Sequence, residues 1–183
     1  TGKTLAALWA ADYLMSLGFV RRVLVLCPLS IMHSAWMSDL NSSIIHRSAI
    51  IAHHPKASRR IEMIQQDYEF VICNYDGLNL IADEVKADGR FDLVIVDEAN
   101  AYKTMTTKRW KTLKSIVRPD SYLWMMTGTP ARAAASRPST PALPLWVCTM
   151  SGRVSRKIRS SLQRAVTSLT GWTGRTSSGT MVS

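Results

Sequence analysis

The sequence predicts an α/β domain in which helices cover both faces of a parallel β-sheet. Residues 1–130 contain five short runs of consecutive apolar residues, and such continuous hydrophobicity is typical of strands that are buried on both faces. Longer segments with apolar residues at helical spacing separate the runs. Because strand and helix alternate about five times along the chain, we expect a doubly wound domain.

The five apolar runs are the predicted strands, and they cover residues 23–26, 49–52, 70–73, 93–96 and 122–126. The first predicted helix precedes them and carries apolar residues at helical spacing, namely Leu5, Leu8, Trp9, Leu14 and Leu17. Gly18 stands where a left-handed glycine commonly ends a helix, and Ser30 can cap a second helix that carries Trp36. Three further helices are predicted over residues 56–66, 78–86 and 108–117.

Charge is distributed unevenly along the 183 residues. The chain has 23 basic and 13 acidic residues, which gives a net charge of +10. Residues 131–183 hold eight of the basic residues, no acidic residue and 17 serines and threonines. Residues 1–130 therefore hold 15 basic and all 13 acidic residues, and they are nearly neutral. We expect a folded domain over residues 1–130, followed by a basic low-complexity tail that does not bury a core.

The composition argues against several classes of protein. No apolar run approaches the roughly 18 residues that span a bilayer, and the first residues lack a signal-peptide pattern, so we expect a cytoplasmic protein with no membrane partner. The cysteines are far apart and form no CxxC pair, which argues against a disulfide-stabilised protein and against a structural zinc site. The histidines are not spaced with the cysteines as metal ligands are. We interpret four tryptophans as residues of the core or of an interface; they are Trp9, Trp36, Trp110 and Trp124.

The chain opens with a possible phosphate-binding motif. Thr1-Gly2-Lys3-Thr4 lies directly before the first predicted helix and matches the end of the phosphate loop G-x-x-x-x-G-K-[ST]. In that loop, backbone N–H groups at a helix N-terminus bind phosphates, the Lys contacts the terminal phosphates and the Ser or Thr binds Mg²⁺. Taken alone, these four residues are more simply explained as a glycine turn before a helix.

Two more candidate motifs directly follow predicted strands. Asp97 and Glu98 come after the fourth strand, where phosphate-loop enzymes place an acidic residue that binds Mg²⁺ and where a second carboxylate can activate water. Residues 127–130, Thr-Gly-Thr-Pro, come after the fifth strand. Each motif alone is also explained by a solvated loop or an ordinary turn. The order of all three motifs, each at its expected place, favours a nucleotide-binding domain.

With these motifs, residues 1–130 resemble the first RecA-like domain of a superfamily-two helicase or translocase, of the Snf-type and phage DEAD/DEAH-like kind. The segments that resemble motifs I, Ia, Ib, II and III are, in this order, Gly2-Lys3-Thr4, residues 26–30 with Trp36, Asn74-Tyr75-Asp76, residues 94–100 with Tyr102-Lys103, and residues 127–130. The resemblance implies a RecA-like parallel sheet that is sandwiched by helices, in a protein of a bacterial or phage-infected cell.

The resemblance implies an ATP site with Mg²⁺ as a second cofactor. Gly2, Lys3 and Thr4 would bind the nucleotide, with Lys3 at the β- and γ-phosphates. Thr4 and Asp97 would bind Mg²⁺, and Glu98 would activate the attacking water.

The resemblance also implies contacts with nucleic acid. The residues that would couple the nucleotide site to the nucleic acid are Thr127, Gly128 and Thr129. The residues that would contact the backbone of a DNA strand are Ser30, Asn74 and Tyr75, and RNA is not excluded as the partner. Backbone contacts suit a motor because they carry no sequence information.

Two departures from the family pattern bear on function. Asn100 stands where a DEAH-type motif has His, so the polar link from motif II to the second domain is altered, although an amide can still form hydrogen bonds. The second RecA-like domain, which supplies arginines to the ATP site in this family, is missing from the sequence. We therefore expect the chain by itself to hydrolyse ATP poorly or not at all.

Two functions remain open at this point. The chain is either the ATP-binding half of an ATP-dependent helicase or translocase, or a non-catalytic nucleic-acid-binding protein in which a degenerate phosphate-loop domain carries a basic arm. A metabolic kinase is a weaker third possibility, because motif III argues against it.

We hypothesise that the reading frame is shifted just after Pro130, because the composition changes abruptly there from motif-rich to featureless. Translation of the other two frames of the encoding DNA tests this hypothesis. We expect one of these frames to continue into a second RecA-like domain. If both frames are featureless, the hypothesis of a frame shift is wrong.

Overall fold

The computed structural model describes residues 2–102 and 106–127, which form a five-stranded sheet flanked by helices. The strands are β1 (Arg22–Cys27), β2 (Ala49–Ile51), β3 (Phe70–Asn74), β4 (Phe91–Val96) and β5 (Tyr122–Met125). They lie in the order β2-β3-β1-β4-β5, and every neighbouring pair is parallel. The predicted parallel sheet is confirmed, and each predicted apolar run contributes one of its strands.

All the helices except the second overlap the segments that the sequence pattern predicts, within the residues that the structure describes. They are α1 (Lys3–Ser16), α2 (Ser38–Ser43), α3 (Ala57–Gln65), α4 (Tyr75–Asp88) and α5 (Lys108–Ile116). Gly18 follows the end of α1 with φ of 74°, the left-handed conformation that was expected there. Helix α4 begins at Tyr75, directly after β3 and before its predicted start at residue 78.

The segment after β1 differs from the prediction. A 3₁₀ turn, Leu29–Ile31, is followed by a π-helical stretch, Met32–Met37, and then by α2. Ser30 lies inside the 3₁₀ turn, so its predicted role as a helix cap is wrong. The reason is Pro28, which precedes the turn in an extended conformation and starts the helical path before Ser30 can take the cap position. π-Helical stretches are rare and frequently lie at functional sites.

Both faces of the sheet are buried, which explains the continuous hydrophobicity of its strands. Leu24 and Leu26 of β1 and Val94 of β4 belong to a buried cluster with residues of α3, α4 and α5. Val23 and Val25 alternate with them, point to the opposite face and are fully buried as well.

The four tryptophans differ in their surroundings. Trp36 and Trp124 are buried, and Trp110 packs half-buried against the cluster. Trp9 is 38% exposed on α1, so it is not a core residue.

Two cysteines lie inside the sheet. Cys27 and Cys73 are buried free thiols. Burial raises the pKa of Cys73 to about 12 and also raises the pKa of Cys27, so both thiols are protonated and unreactive near neutral pH. In the described ranges, no helix is long and apolar enough to cross a membrane.

Arg22 is a buried cation at the start of β1, at the edge of the sheet opposite to the candidate motifs. Its guanidinium donates to the Asp88 carboxylate at 2.5 Å and lies over the Phe91 ring, 4.6 Å from the ring centroid. It also donates to the backbone carbonyl oxygens of Ile64, Gln66 and Tyr68. Asp88 accepts further hydrogen bonds from Arg90. This network joins β1 to the ends of α3 and α4.

Asp88→Asn should destabilise the fold by about 3–5 kcal/mol at neutral pH, because it leaves the Arg22 charge buried without its partner. Burial by itself raises the pKa of Asp88, but the hydrogen bonds from Arg90 and the charge of Arg22 outweigh it, so the pKa lies below its ordinary value. The stabilisation is therefore complete above about pH 4 and is lost as the pH falls through the folded-state pKa.

Urea unfolding of the 183-residue chain at neutral and acidic pH measures this effect. We expect the difference between wild type and Asp88→Asn to shrink at acidic pH. Asp83→Asn, in the exposed pair with Lys86 on the same helix, is the matched control and should change little. Equal losses for the two variants would contradict the role of Asp88.

Candidate functional site

The candidate residues lie at the carboxyl edge of the sheet, where open parallel sheets bind ligands. Asp97 follows β4 and Thr127 follows β5. The Asp97 N–H donates to the carbonyl of Leu26 at 2.8 Å, and the Ala99 N–H donates to the carbonyl of Met126 at 2.7 Å. The turn of residues 97–99 is therefore held between β1 and the residue that follows β5.

Lys3, the first residue of α1, reaches the two carboxylates of this turn. Its Nζ lies 3.2 Å from Glu98 Oε1 and 3.9 Å from Asp97 Oδ1. The side chains of Lys3 and Asp97 are almost buried, whereas that of Glu98 is 42% exposed. The structure thus brings three of the five ATP-site candidates together, although 95 positions separate Lys3 from Glu98 in the sequence.

The other two ATP-site candidates flank Lys3 at the start of α1. Gly2 is exposed, and its carbonyl accepts a helical hydrogen bond from the Ala6 N–H at 3.0 Å. Thr4 lies in the first turn of α1 and is buried. This first turn has no acidic side chain, so the positive end of the helix dipole and the Lys3 ammonium act together. Such an arrangement attracts anions, phosphates among them.

Both oxygens of the Asp97 carboxylate accept hydrogen bonds. The Trp36 indole N–H donates to Oδ2 at 3.1 Å, and the Glu98 backbone N–H donates to Oδ1 at 3.0 Å. The sequence predicts Trp36 as a packing residue near motif Ia and gives no sign of this bond. It forms because β1 lies beside β4, and strand order cannot be derived from local patterns.

The backbone of the turn is strained at Glu98. Among the described residues, Glu98 is the one non-glycine residue with positive φ, at 52°. Such a conformation costs about 1–3 kcal/mol and persists where surrounding contacts impose it. One contact is the hydroxyl of Tyr75, which donates to the Asp97 carbonyl at 2.5 Å. Burial, together with the charge of Asp97, raises the pKa of Tyr75, so its hydroxyl stays a donor.

The three predicted nucleic-acid contacts lie on three elements. Ser30 is exposed on the 3₁₀ turn after β1, whereas Asn74 and Tyr75 are adjacent where β3 meets α4. The Tyr75 hydroxyl is bound to the Asp97 turn, and its ring packs edge-on against Tyr102 with the centroids 5.5 Å apart. Tyr75 is therefore a predicted nucleic-acid residue that also contacts the turn of the candidate nucleotide site directly.

Arg60 is a buried cation beside Asn74 that the sequence does not single out. Its Nε donates to the His54 carbonyl at 2.6 Å, and its guanidinium donates to Asn74 Oδ1 at 3.2 Å. Within the two described ranges, no carboxylate forms an ion pair with it. Gly77 leaves room for this contact, because a Cβ at that position would overlap both the guanidinium and the Asn74 side chain.

The predicted coupling residues are only partly described. Thr127 is half-buried just beyond β5, at the same edge as Asp97. Gly128 and Thr129 lie outside the described residues. Asn100, the departure in motif II, is exposed in a 3₁₀ turn, Ala99–Tyr102.

Residues 1–136 match the SNF2-related domain family. The chain belongs to this family. It is also similar to the uncharacterized ATP-dependent helicase YqhH of Bacillus subtilis, with 25% identity over 130 residues that cover 70% of this chain and 21% of the helicase. The predicted family, the first RecA-like domain of a superfamily-two helicase or translocase, is therefore confirmed.

Two solved structures from Sulfolobus solfataricus resemble the SNF2-related domain. The SWI2/SNF2 ATPase core in complex with dsDNA shares 26% identity at a TM-score of 0.60, over 70% of this chain and 26% of that chain. The SWI2/SNF2 ATPase core domain shares 25% identity at a TM-score of 0.52, over 70% of this chain and 25% of that chain. The predicted RecA-like fold and ATPase or helicase class are confirmed. The chain spans about a fifth to a quarter of these relatives.

Gly77→Ala tests the close contact between Arg60, Asn74 and α4. At an open helix position this change stabilises a protein by about 1 kcal/mol. Here the added Cβ must displace the Arg60 guanidinium or Asn74, so we expect a loss of about 1–3 kcal/mol instead. Urea unfolding measures it, and Asp83→Ala at an exposed position of α4 is the control for helix propensity. A gain in stability for Gly77→Ala would show that the contact is not tight.

Proposed function

We propose that this SNF2-related domain binds Mg²⁺ and ATP and that ATP hydrolysis there drives movement of the whole protein along DNA. The observation that supports this most strongly is the contact between Lys3, at the N-terminus of α1, and the Asp97–Glu98 turn after β4. A cation at a helix N-terminus suits the phosphates, and the facing carboxylates suit the metal and the water.

The chemistry of the side chains fits Mg²⁺. The Thr4 hydroxyl and the Asp97 carboxylate are hard oxygen donors, which are the ligands that Mg²⁺ prefers. Among the described residues, no group of three or more His, Cys, Asp or Glu side chains could hold a metal ion. Mg²⁺ is commonly held by one or two protein oxygens together with substrate phosphates, so two such side chains are enough for it.

In the proposed reaction, each residue has a separate task. Lys3 binds the β- and γ-phosphate oxygens, and Gly2 and the first turn of α1 surround the phosphates. Mg²⁺, when bound at Thr4 and Asp97, neutralises part of the phosphate charge. Glu98 is the most exposed of the charged groups, and its carboxylate accepts a hydrogen bond from the attacking water and orients it toward the γ-phosphate.

The proposed partner is DNA, and a second RecA-like domain completes the ATP site. The relative from Sulfolobus solfataricus that is in complex with dsDNA supports DNA as the partner. Ser30, Asn74 and Tyr75 are the proposed contacts to its backbone. The proposed coupling residues are Thr127, which lies just beyond β5, and the two residues after it in the sequence, Gly128 and Thr129. In this proposal residues 1–130 form the ATP-binding domain and residues 131–183 form a separate basic tail.

Lys3→Ala should weaken binding of a fluorescent, non-hydrolysable ATP analogue by about tenfold to a hundredfold, because a hydrogen bond to a charged group is lost. Fluorescence anisotropy of the 183-residue chain in Mg²⁺ buffer measures this affinity. Lys86→Ala, an exposed lysine on α4, is the control and should bind like wild type. Equal affinities for wild type and Lys3→Ala would contradict the proposed site.

Glu98→Gln should separate binding from hydrolysis. We expect the analogue to bind as it does to wild type, whereas ATP hydrolysis falls by about 10²–10⁴-fold because the water loses its base. Hydrolysis is measured as phosphate release, with dsDNA present, in the protein that joins this domain to its second RecA-like domain. Unchanged hydrolysis would remove Glu98 from the mechanism.

A further inference from the structure

A buried hydrogen bond connects Trp36 with Asp97. The indole N–H donates to Oδ2 at 3.1 Å, and the two residues are 0% and 4% exposed. A buried carboxylate needs hydrogen-bond partners to replace its lost water. Trp36 supplies one such partner from an element that lies 61 positions earlier in the sequence.

The fold directs this donor at the carboxylate in two steps. First, β1 and β4 are neighbours with Leu26 opposite Val96, so the segment after β1 lies beside the turn after β4. Second, the π-helical stretch Met32–Met37 turns Trp36 inward. π-Helical turns are rare and are frequently found at functional sites.

The other oxygen of Asp97 has different neighbours. Oδ1 accepts from the Glu98 backbone N–H and lies 3.9 Å from Lys3 Nζ. The Trp36 bond therefore fixes the carboxylate from the side away from Lys3 and sets which oxygen is presented toward α1. Carboxylates that bind metals are themselves commonly oriented by such outer hydrogen bonds.

We propose that Trp36 is a positioning residue that holds the Asp97 carboxylate in the orientation in which it binds Mg²⁺. This assignment rests on the proposed function of the site. It gives Trp36 a role beyond packing, and this role depends on one group, the indole Nε1–H, which donates the hydrogen bond to Asp97.

Trp124 is a matched comparison within the same domain. It lies on β5, opposite Ile95 of β4, and is also buried, at 4% exposure. In the part of the chain that the structure describes, its indole nitrogen has no hydrogen-bond partner. Trp36→Phe and Trp124→Phe therefore remove the same group from two buried sites of one sheet, but only the first removes a bond to Asp97.

The experiment measures how binding of the fluorescent ATP analogue to the 183-residue chain depends on Mg²⁺ concentration. We expect Trp36→Phe to raise the Mg²⁺ concentration at half-saturation by about 10–100-fold, the usual effect of losing an outer hydrogen bond to a metal ligand. Trp124→Phe should leave it as in wild type. Binding without Mg²⁺ should be the same in all three proteins, because the proposed role of Trp36 concerns only the Mg²⁺ ligand. A purely structural role of Trp36 would instead weaken binding both with and without Mg²⁺.

A second substitution removes the donor without removing the ring. β-(3-Benzothienyl)alanine at position 36 has a sulphur atom in place of the indole N–H and nearly the same shape. It should reproduce the loss of Mg²⁺ affinity even if Trp36→Phe does not fold. If the protein with benzothienylalanine depends on Mg²⁺ as wild type does, the role assigned to Trp36 is wrong, whereas the proposed function still holds. If wild type itself shows no Mg²⁺-dependent binding, the proposed function fails and the role of Trp36 fails with it.

Discussion

Asp97 is a carboxylate that is buried at the end of an internal strand, and the candidate site is organised around its charge. A buried charge is tolerated only when it is paired or hydrogen-bonded. The compensating groups come from distant parts of the chain: the Lys3 ammonium from α1 and the Trp36 indole from the segment after β1. Motifs I, Ia and II, which the order of the strands places at one edge of the sheet, therefore meet at one carboxylate.

The two edges of the sheet serve different purposes. At the amino edge, Arg22 is fully engaged with Asp88 and three carbonyl oxygens, and this network stabilises the fold. At the carboxyl edge, the Asp97 turn carries the strained backbone and the half-exposed carboxylate of Glu98. The Tyr75 hydroxyl links this strained turn to α4, where the proposed DNA contacts begin. The domain thus combines an extensively hydrogen-bonded amino edge with a site whose geometry depends on a few bonds.

The sequence predicts those parts of the structure that local patterns determine. Unbroken apolar runs identified all five strands, and helical spacing placed α3 and α5 within a residue of their observed ends. The Ser30 cap was wrong because Pro28 changes the path of the chain out of β1. The bond from Trp36 to Asp97 could not be predicted, because it requires β1 and β4 to be neighbours. The roles of the site residues came from motif order and resemblance, and they remain predictions.

The most direct test of this account compares nucleotide affinity with Mg²⁺ and with EDTA for wild type and Asp97→Asn. The substitution keeps the size of the side chain and removes the charge around which the site is built. We expect wild type to bind the ATP analogue more tightly with Mg²⁺ than with EDTA, and the ratio of the two affinities to fall to near one in Asp97→Asn. The same ratio in both proteins would show that Asp97 does not hold the metal and would contradict the account.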